Sequence, residues 1–293
     1  MILYPNCKIN LGLRVIRKRE DGYHDLETVF VPIYGLHDEL EVNKACQRLT
    51  TNDQQPISFV QEGIAVDCPA EDNLLIKCYR QMAARYPQIG PVSIRFRKNI
   101  PFGAGLGGGS SDAAHMAIAL NEIFSLGLTK EQLAAEVRPL GADCPFFIYN
   151  VPCYAEGIGD KLTPIDLDLK GIRIIMVKPD EGVSTREAYS GITRHPEVSG
   201  EIRKNLSPFT FQLSAFQNDF EETVFPLHPT IAHIKKRLLD AGAFYASMSG
   251  SGSTVFGLFQ NHAEGRSDAD LRVFKQEFAS MILLDDTFGE WKS

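Results

Sequence analysis

The sequence has no long apolar run and no cysteine pattern of the kind that staples a small domain or binds metal. No apolar stretch approaches the roughly 18 residues that a membrane-spanning helix needs, and no apolar signal-peptide segment opens the chain. Its 6 cysteines form no Cys-x-x-Cys pair and no metal-ligand spacing. We therefore expect reduced thiols, a cytoplasmic location and no membrane partner.

Positive charge is also scarce. The chain carries 30 Lys and Arg against 37 Asp and Glu, which gives a net charge of -7. This balance does not favour nucleic acid or an anionic membrane as the main partner. What remains is an ordinary globular composition, 44% hydrophobic and 23% charged over 293 residues, which is long enough for two domains.

The most informative stretch is a glycine-rich loop between a predicted strand and a predicted helix. It has 5 glycines between Gly103 and Gly109, so its backbone can adopt positive φ and approach a ligand closely. Ser110, Ser111 and Asp112 are N-cap residue types, and apolar residues follow at helical spacing. We predict that the loop leads into a helix N-terminus, whose N–H groups and positive dipole end suit a phosphate chain.

Other loops of this composition fit the sequence less well. Gly103-x-Gly105-x-x-Gly108 satisfies the G-x-G-x-x-G pattern of dinucleotide-binding folds. However, residues 92–97 alternate as in a half-exposed strand, and the acidic residue expected about twenty positions on, Glu122, falls inside the helix. A Walker A loop would have Lys after its glycines, and a flexible linker would not separate a strand from a well-patterned helix.

The loop resembles the phosphate-binding motif of a kinase superfamily, that of galactokinase, homoserine kinase, mevalonate kinase and phosphomevalonate kinase (GHMP). The matching residues are Pro101-x-x-x-Gly105-Leu106-Gly107-Gly108-Gly109-Ser110-Ser111. The triple glycine before two serines resembles in particular the kinases of 4-diphosphocytidyl-2-C-methyl-D-erythritol, from the non-mevalonate isoprenoid pathway. The resemblance spans the whole chain, and it implies ATP-dependent phosphorylation of the 2-hydroxyl of that small molecule, with Mg²⁺ as a second cofactor.

The resemblance also implies the fold, an α+β chain of two domains with the GHMP-kinase fold. Residues 1–165 would form an ATP-binding domain similar to ribosomal protein S5, and residues 166–293 a ferredoxin-like substrate domain. The second half reads as a strand at 172–177, strands around Phe244 and Val255, and a last helix from about 269 to 281. This order independently indicates helices on one face of an antiparallel sheet. Monomer and homodimer both remain open.

Two polar residues of the first long strand are candidates for the active site. Residues 7–15 alternate strictly, which places Lys8 and Asn10 on one face and the apolar residues on the other. A Lys on a strand is most often a solvated side chain. The family's Pro-x-x-Lys-x-Asn-Leu motif is similar to residues 5–11, which implies that Lys8 is catalytic, near the transferred phosphate, and that Asn10 contacts cytosine.

A turn signal at Asp21-Gly22 precedes a second pair, Tyr23 and His24. An isolated Tyr-His pair is more often a packing or surface feature. Asp-Gly-Tyr-His-x-Leu nevertheless resembles the substrate signature of the family. The resemblance implies that Tyr23 stacks on the pyrimidine ring and that His24 hydrogen-bonds the base edge, tasks that suit an aromatic face and a polar ring.

One carboxylate stands among small and apolar residues at 141–145 (GADCP). From the pattern alone, Asp143 is as consistent with a turn as with a functional group, although a buried carboxylate is costly unless it is paired. The segment matches the family's Gly-Ala-Asp-x-Pro motif. This match implies that Asp143 is the catalytic base and that Lys8 is its partner.

The remaining assignments depend mainly on the resemblance. Residues 248–253 (MSGSGS) could be a hairpin turn, but they resemble the superfamily's third motif, a second glycine loop near the phosphates. The segment with Thr185 and Tyr189 resembles one that closes the cytidine pocket. Asn73 can cap a helix, and Thr129-x-x-Gln132 predicts a capping box at the start of another helix. The residues assigned to the nucleotide are Asn73, Lys98, Pro101, Gly103, Ala104, Gly105, Leu106, Gly107, Gly108, Gly109, Ser110 and Ser111. Those assigned to the substrate are Asn10, Tyr23, His24, Thr185, Tyr189, Gly250, Ser251 and Gly252.

The metal ligands and two other functions stay open. Ser110 or Ser111 are the nearest candidates for Mg²⁺, with water supplying the remaining ligands. The chain could phosphorylate another small alcohol such as mevalonate or homoserine, against which the cytidine candidates argue. It could also be a non-catalytic nucleotide-binding protein or a dinucleotide oxidoreductase. Lys8 with Asp143 argues against the former, and the half-exposed strand before the loop argues against the latter.

Overall fold

The computed structural model describes residues 1–45, 57–65, 69–192, 200, 202, 216–260 and 268–289. The chain divides into two compact units. The first comprises Met1–Cys7, Pro32–Phe102 and Gly107–Asn150, and the second comprises Lys8–Val31, Gly103–Leu106 and Val151–Ser293. The expected domain boundary after residue 165 stays a prediction.

The described residues form strands and helices in an α+β arrangement. The strands are β1 (Ile2–Leu3), β2 (Asn6–Lys18), β3 (His24–His37), β4 (Glu39–Lys44), β5 (Ile57–Gly63), β6 (Val92–Lys98), β7 (Cys153–Glu156), β8 (Lys161–Pro164), β9 (Arg173–Val177), β10 (Tyr245–Met248), β11 (Val255–Phe259) and β12 (Ile282–Thr287). The helices are α1 (Leu74–Arg85), α2 (Gly108–Ile123), α3 (Lys130–Val137), α4 (Cys144–Tyr149), α5 (Thr185–Ser190), α6 (Phe220–Leu227), α7 (Pro229–Asp240) and α8 (Asp268–Glu277). Single 3-10 turns lie at Ala70–Asp72 and Arg138–Leu140.

The first unit packs helices against the sheet β1-β4-β6-β5. β4 pairs antiparallel with β1 and β6, whereas β5 runs parallel to β6. β6 buries Val92, Ile94 and Phe96 and turns the residues between them outward, which confirms the predicted alternation. α2 contacts α1, α3, α4 and β4, so the helix that follows the glycine loop lies at the centre of this unit's packing.

The helix starts in the first unit confirm two predictions and correct a third. Asn73 Oδ1 accepts a hydrogen bond from Leu75 N at 2.9 Å and caps α1, and Thr129 forms a reciprocal capping box with the third residue of α3. The predicted cap of α2 among Ser110, Ser111 and Asp112 is wrong. The N-cap is Gly107, whose φ of 70° favours glycine, so both serines lie in the first turn of the helix.

The second unit contains most of the sheet β2-β3-β7-β8 and the whole of the sheet β10-β11-β9-β12. All pairs of the latter are antiparallel. One of its faces, with Ile175, Val177 and Met248, packs in a common core with residues of α6, α7 and α8. The predicted layer of helices on one face of an antiparallel sheet is confirmed.

The end of the chain departs from the prediction. The last helix was expected to reach residue 281, but α8 ends at Glu277 and β12 follows as an edge strand that pairs with β9. Phe278 and Met281 come after the helix and still pack against the core. Apolar residues at helical spacing therefore continue past the helix, which concealed its end. No helix in the described part of the chain is long and apolar enough to cross a bilayer.

Candidate active site

Lys8 and Asn10 are buried side by side on β2. They are 3% and 2% exposed, so the interpretation of Lys8 as a solvated side chain is wrong. Lys8 Nζ donates to Asn10 Oδ1 at 2.6 Å and to the carbonyl oxygen of Gly105 at 3.1 Å. Asn10 Nδ2 donates to Thr28 Oγ1 at 2.9 Å. β2 is therefore buried on both faces, and its polar face meets the glycine loop.

Gly105 needs to be glycine because of its close approach to a second loop. Its φ is 73°, and a Cβ at this position would overlap the carbonyl oxygen of Ser249. Ser249 Oγ donates to Gly105 O at 2.9 Å, and Thr254 N donates to Ala104 O at 3.3 Å. The loop between β10 and β11 thus fixes the first glycine loop.

This β10–β11 loop carries the residues of the predicted third motif. A Cβ on Gly250 would lie 3.4 Å from Asn10 Oδ1, and Ser251 Oγ is 3.4 Å from Thr185 Oγ1. Sequence reasoning missed Asn218, which is 2% exposed and whose Nδ2 donates to the carbonyl oxygens of Met248 and Gly250, both at 2.8 Å. A single Asn far along the chain gives no pattern from which this contact could be predicted.

The predicted cytosine residues include a stacked pair. The rings of His24 and Tyr189 are stacked with centroids 4.5 Å apart at 19°, and Tyr189 meets Phe220 edge-on at 4.7 Å. The Tyr23 side chain is 61% exposed. The second unit therefore brings His24 and Tyr189 together and leaves Tyr23 accessible.

In the first unit, the first turn of α2 presents Ser110 and hides Ser111. Ser110 is half-buried, whereas Ser111 is fully buried with its Oγ 3.4 Å from His115 Nδ1. The first N–H groups of a helix have no acceptor within the helix, and they carry the positive end of its dipole. This turn can therefore bind an anionic group.

The Lys98 side chain lies beneath this turn in a buried charge cluster. Its Nζ donates to Asp38 Oδ2 at 2.5 Å and to Asp112 Oδ2 at 2.8 Å. Burial lowers the pKa of Lys98, but both carboxylates act against it and the net pKa is raised. Burial also raises the pKa of Asp112 well above its ordinary value, despite Lys98. The Lys98 ammonium links β6 to α2 through its ion pair with Asp112. Its contact with the nucleotide stays a prediction.

Asp143 stands at the N-terminus of α4, beside the same turn of α2. Its side chain is half-buried and makes no capping hydrogen bond to the helix. A Cβ on Gly141 would lie 3.5 Å from Ser110 Oγ. Burial raises the pKa of the adjacent Cys144 thiol to about 12, against a hydrogen bond from Ser110. Lys8 belongs to the other unit, so its pairing with Asp143 stays a prediction.

Two family models match the chain. The model of the GHMP kinases N terminal domain matches residues 73–150, and that of the GHMP kinases C terminal matches residues 202–270. The first range includes the glycine loop and Asp143, and the second includes the loop that contacts Gly105. The fold and these loops define a GHMP kinase, and a kinase of this class uses ATP.

Individual relatives narrow the class to one family. The chain is 48% identical over 262 residues to 4-diphosphocytidyl-2-C-methyl-D-erythritol kinase of Bacteroides thetaiotaomicron, covering 89% of this chain and 92% of the relative. It is 42% identical over 267 residues to the enzyme of that name from Porphyromonas gingivalis, again covering 89% and 92%. The chain therefore belongs to the family of the 4-diphosphocytidyl-2-C-methyl-D-erythritol kinases.

Solved structures agree with this placement. The crystal structure of 4-(cytidine 5'-diphospho)-2C-methyl-D-erythritol kinase matches with a TM-score of 0.75 at 31% identity, covering 96% of each chain. Mevalonate kinase of L. major in complex with R-mevalonate matches with a TM-score of 0.67 at 14% identity, covering 100% of this chain and 97% of that one. The second match shows the shared fold alone.

Proposed function

We propose that this protein transfers the γ-phosphoryl group of ATP to the 2-hydroxyl of 4-diphosphocytidyl-2-C-methyl-D-erythritol, as the names of its relatives describe. The observation that carries the proposal is the buried Lys8, oriented by Asn10 and by the carbonyl oxygen of Gly105. A cation fixed by neutral oxygens and shielded from water stabilises the charge that develops on a transferring phosphoryl group. We propose a cytoplasmic location for this reaction.

Asp143 is the base in this proposal. The substrate hydroxyl oxygen attacks the γ-phosphorus, the bond between that phosphorus and the β–γ bridging oxygen breaks, and the hydroxyl proton passes to the Asp143 carboxylate. A nearby ammonium keeps such a carboxylate ionised, which is the role we assign to Lys8. The protein thus contributes position and electrostatics more than covalent chemistry.

The glycine loop and the first turn of α2 hold the ATP phosphates. Gly103, which has no atom within 4 Å of its Cβ position, leaves room for close backbone approach, and the N–H groups at the start of α2 supply hydrogen bonds and dipole charge. Pro101, Ala104, Gly105 and Leu106 complete the nucleotide site by their positions in the motif. Asn73, at the start of α1, is assigned to it because the family's matching segment lines the adenine pocket.

The cytidine end of the substrate is assigned to Tyr23, His24 and Tyr189. The stacked pair of His24 and Tyr189 supplies an aromatic surface and ring nitrogens, and the exposed Tyr23 ring can cover the other face of the pyrimidine. Asn10 already uses its amide on Lys8 and Thr28. Its predicted cytosine contact is therefore secondary to its orientation of Lys8.

Mg²⁺ fits as an ion held mainly by phosphates and water. No group of three or more His, Cys, Asp or Glu in the described residues could hold a metal ion by itself. Mg²⁺ usually keeps several waters and binds substrate phosphates with few protein ligands. Ser110 is the better of the two serine candidates, because Ser111 is fully buried. When bound, the ion neutralises phosphate charge.

Release of ADP in the presence of Mg-ATP tests the function. The acceptors are 4-diphosphocytidyl-2-C-methyl-D-erythritol, mevalonate, homoserine and galactose, with a reaction lacking an acceptor as the control. We expect turnover with the cytidylyl acceptor alone. Turnover with another alcohol would keep the kinase and discard the cytidine site, and ATP binding without any turnover would favour a non-catalytic protein.

A further inference from the structure

His228, between α6 and α7, is bracketed by two carboxylates. Its Nδ1 lies 2.9 Å from Glu181 Oε2, and its Nε2 lies 3.3 Å from Glu187 Oε1. The side chain is 16% exposed. Both ring nitrogens therefore face acceptors, and only the doubly protonated imidazolium can donate a hydrogen bond to each.

The two carboxylates stand at the two ends of a segment that carries substrate candidates. Glu181 precedes Thr185, and its carbonyl oxygen accepts a hydrogen bond from Ser253 Oγ at 2.6 Å. Glu187 lies in α5 between Thr185 and Tyr189, and its N–H donates to Ser184 Oγ at 3.1 Å. One imidazole ring thus connects both ends of residues 181–187.

We propose that His228 is a positioning residue for the cytidylyl substrate: its imidazolium holds Glu181 and Glu187 together and so fixes Thr185 and Tyr189. The proposal rests on the proposed function, since it is that function which gives these two residues their role at the cytidine end. His228 itself contacts neither ATP nor the reacting hydroxyl in this account. It adds a residue outside the motifs to the set that determines substrate affinity.

The charges around His228 favour its protonated form. Its pKa is raised above the ordinary value, first by the hydrogen bond to Glu181 and then, against partial burial, by Glu187. Charged side chains of α6 and α7 form ion pairs that do not involve His228. These pairs are Glu221 with Lys235, Lys236 with Asp240, and Arg237 with Glu277. Because the pKa of His228 is raised in the folded protein, its hydrogen bonds to both Glu181 and Glu187 are complete at low pH. They are lost as the pH rises through that pKa.

The test compares three proteins over a pH range of about 6 to 9, where His changes charge. They are the wild type, His228→Gln and the matched control His233→Gln. His233 lies on α7 and also faces a carboxylate, Glu277 Oε1 at 3.2 Å, but that carboxylate is on α8. KM is measured for ATP and for the cytidylyl substrate, with kcat and thermal unfolding for each protein.

In the wild type we expect KM for the cytidylyl substrate to rise about three- to tenfold across this range, while KM for ATP and kcat change little. His228→Gln should have the high KM throughout and lose this part of the pH dependence. His233→Gln should follow the wild type. Glu181→Gln and Glu187→Gln should each raise the same KM, which keeps the test usable if one variant folds poorly.

At the low end of the pH range, a substrate KM in folded His228→Gln equal to that of the wild type would overturn the proposal. Equal losses of affinity for ATP and for the cytidylyl substrate would also overturn it. If the wild type does not turn over the cytidylyl substrate, the proposed function fails instead. In that case the calorimetric affinity for cytidine diphosphate is compared among the same proteins. Affinity that is pH-dependent only when His228 is present would support the positioning role, and no binding or equal binding would overturn it.

Discussion

Neighbouring residues determine the burial and the orientation of the Lys8 ammonium. A solvated Lys is flexible and strongly hydrated, whereas this ammonium is 3% exposed and directed by Asn10 Oδ1 and Gly105 O. Asn10 is in turn held by Thr28. In the proposed reaction, this fixed orientation lowers the reorganisation needed when charge develops in the transition state.

Asp143→Asn tests the chemical role of the carboxylate. We expect kcat to fall by about 100- to 10,000-fold, the usual worth of a general base, with ATP affinity within a few fold, because the amide keeps the shape and loses the base. The measurements are steady-state kinetics and direct ATP binding. Asp166→Asn, an exposed Asp, is the matched control, and full turnover in Asp143→Asn would remove the residue from the mechanism.

At the scale of elements, the glycine loop meets two requirements: a backbone conformation with positive φ, and close contact with another loop. Gly103 and Gly105 both have positive φ, 63° and 73°. Only Gly105 also lies against a backbone oxygen, that of Ser249, whereas nothing lies within 4 Å of a Cβ on Gly103. Substitutions at Gly103 and Gly105 can therefore distinguish the cost of backbone strain from the cost of losing the contact between the two loops.

Gly103→Ala should destabilise the fold by roughly 1 to 2 kcal/mol, the cost of a left-handed conformation for an L-residue. Gly105→Ala should cost a further 1 to 3 kcal/mol or so, because the added methyl displaces the loop that carries Ser249. Chemical denaturation gives both free energies of unfolding. Equal costs for the two variants would contradict the account of the contact.

Local sequence signals predicted the helices, strands and loops better than the contacts between residues far apart in the chain. The loop, the caps at Asn73 and Thr129, and the alternation in β6 depend on neighbouring residues and could be predicted. The link from Lys98 to Asp38 spans 60 positions, and no spacing rule indicates it. The start of α2 was misplaced because Ser and Asp are good caps in general, whereas here positive φ decided the position.

For the whole molecule, the net charge of -7 opposes an anionic nucleotide, so the proposed function takes its nucleotide affinity from local groups: the first turn of α2, Lys8 and the glycine loops. Sequence motifs indicate these candidate groups because each motif is short, and family membership extends over most of the chain. The motifs could not indicate supporting residues such as Asn218 and His228, whose contacts form only in the fold.

The central claim is that the phosphoryl group goes to the 2-hydroxyl, and ³¹P NMR of the product tests it most directly. The 2-carbon bears a methyl group, a hydroxyl and two carbons, as the substrate name states, so it has no hydrogen. We predict a new phosphomonoester signal without three-bond coupling to hydrogen, formed in step with ADP. A signal split by such coupling, which a phosphate on another hydroxyl would give, or ADP formed without a new ester, would contradict the account.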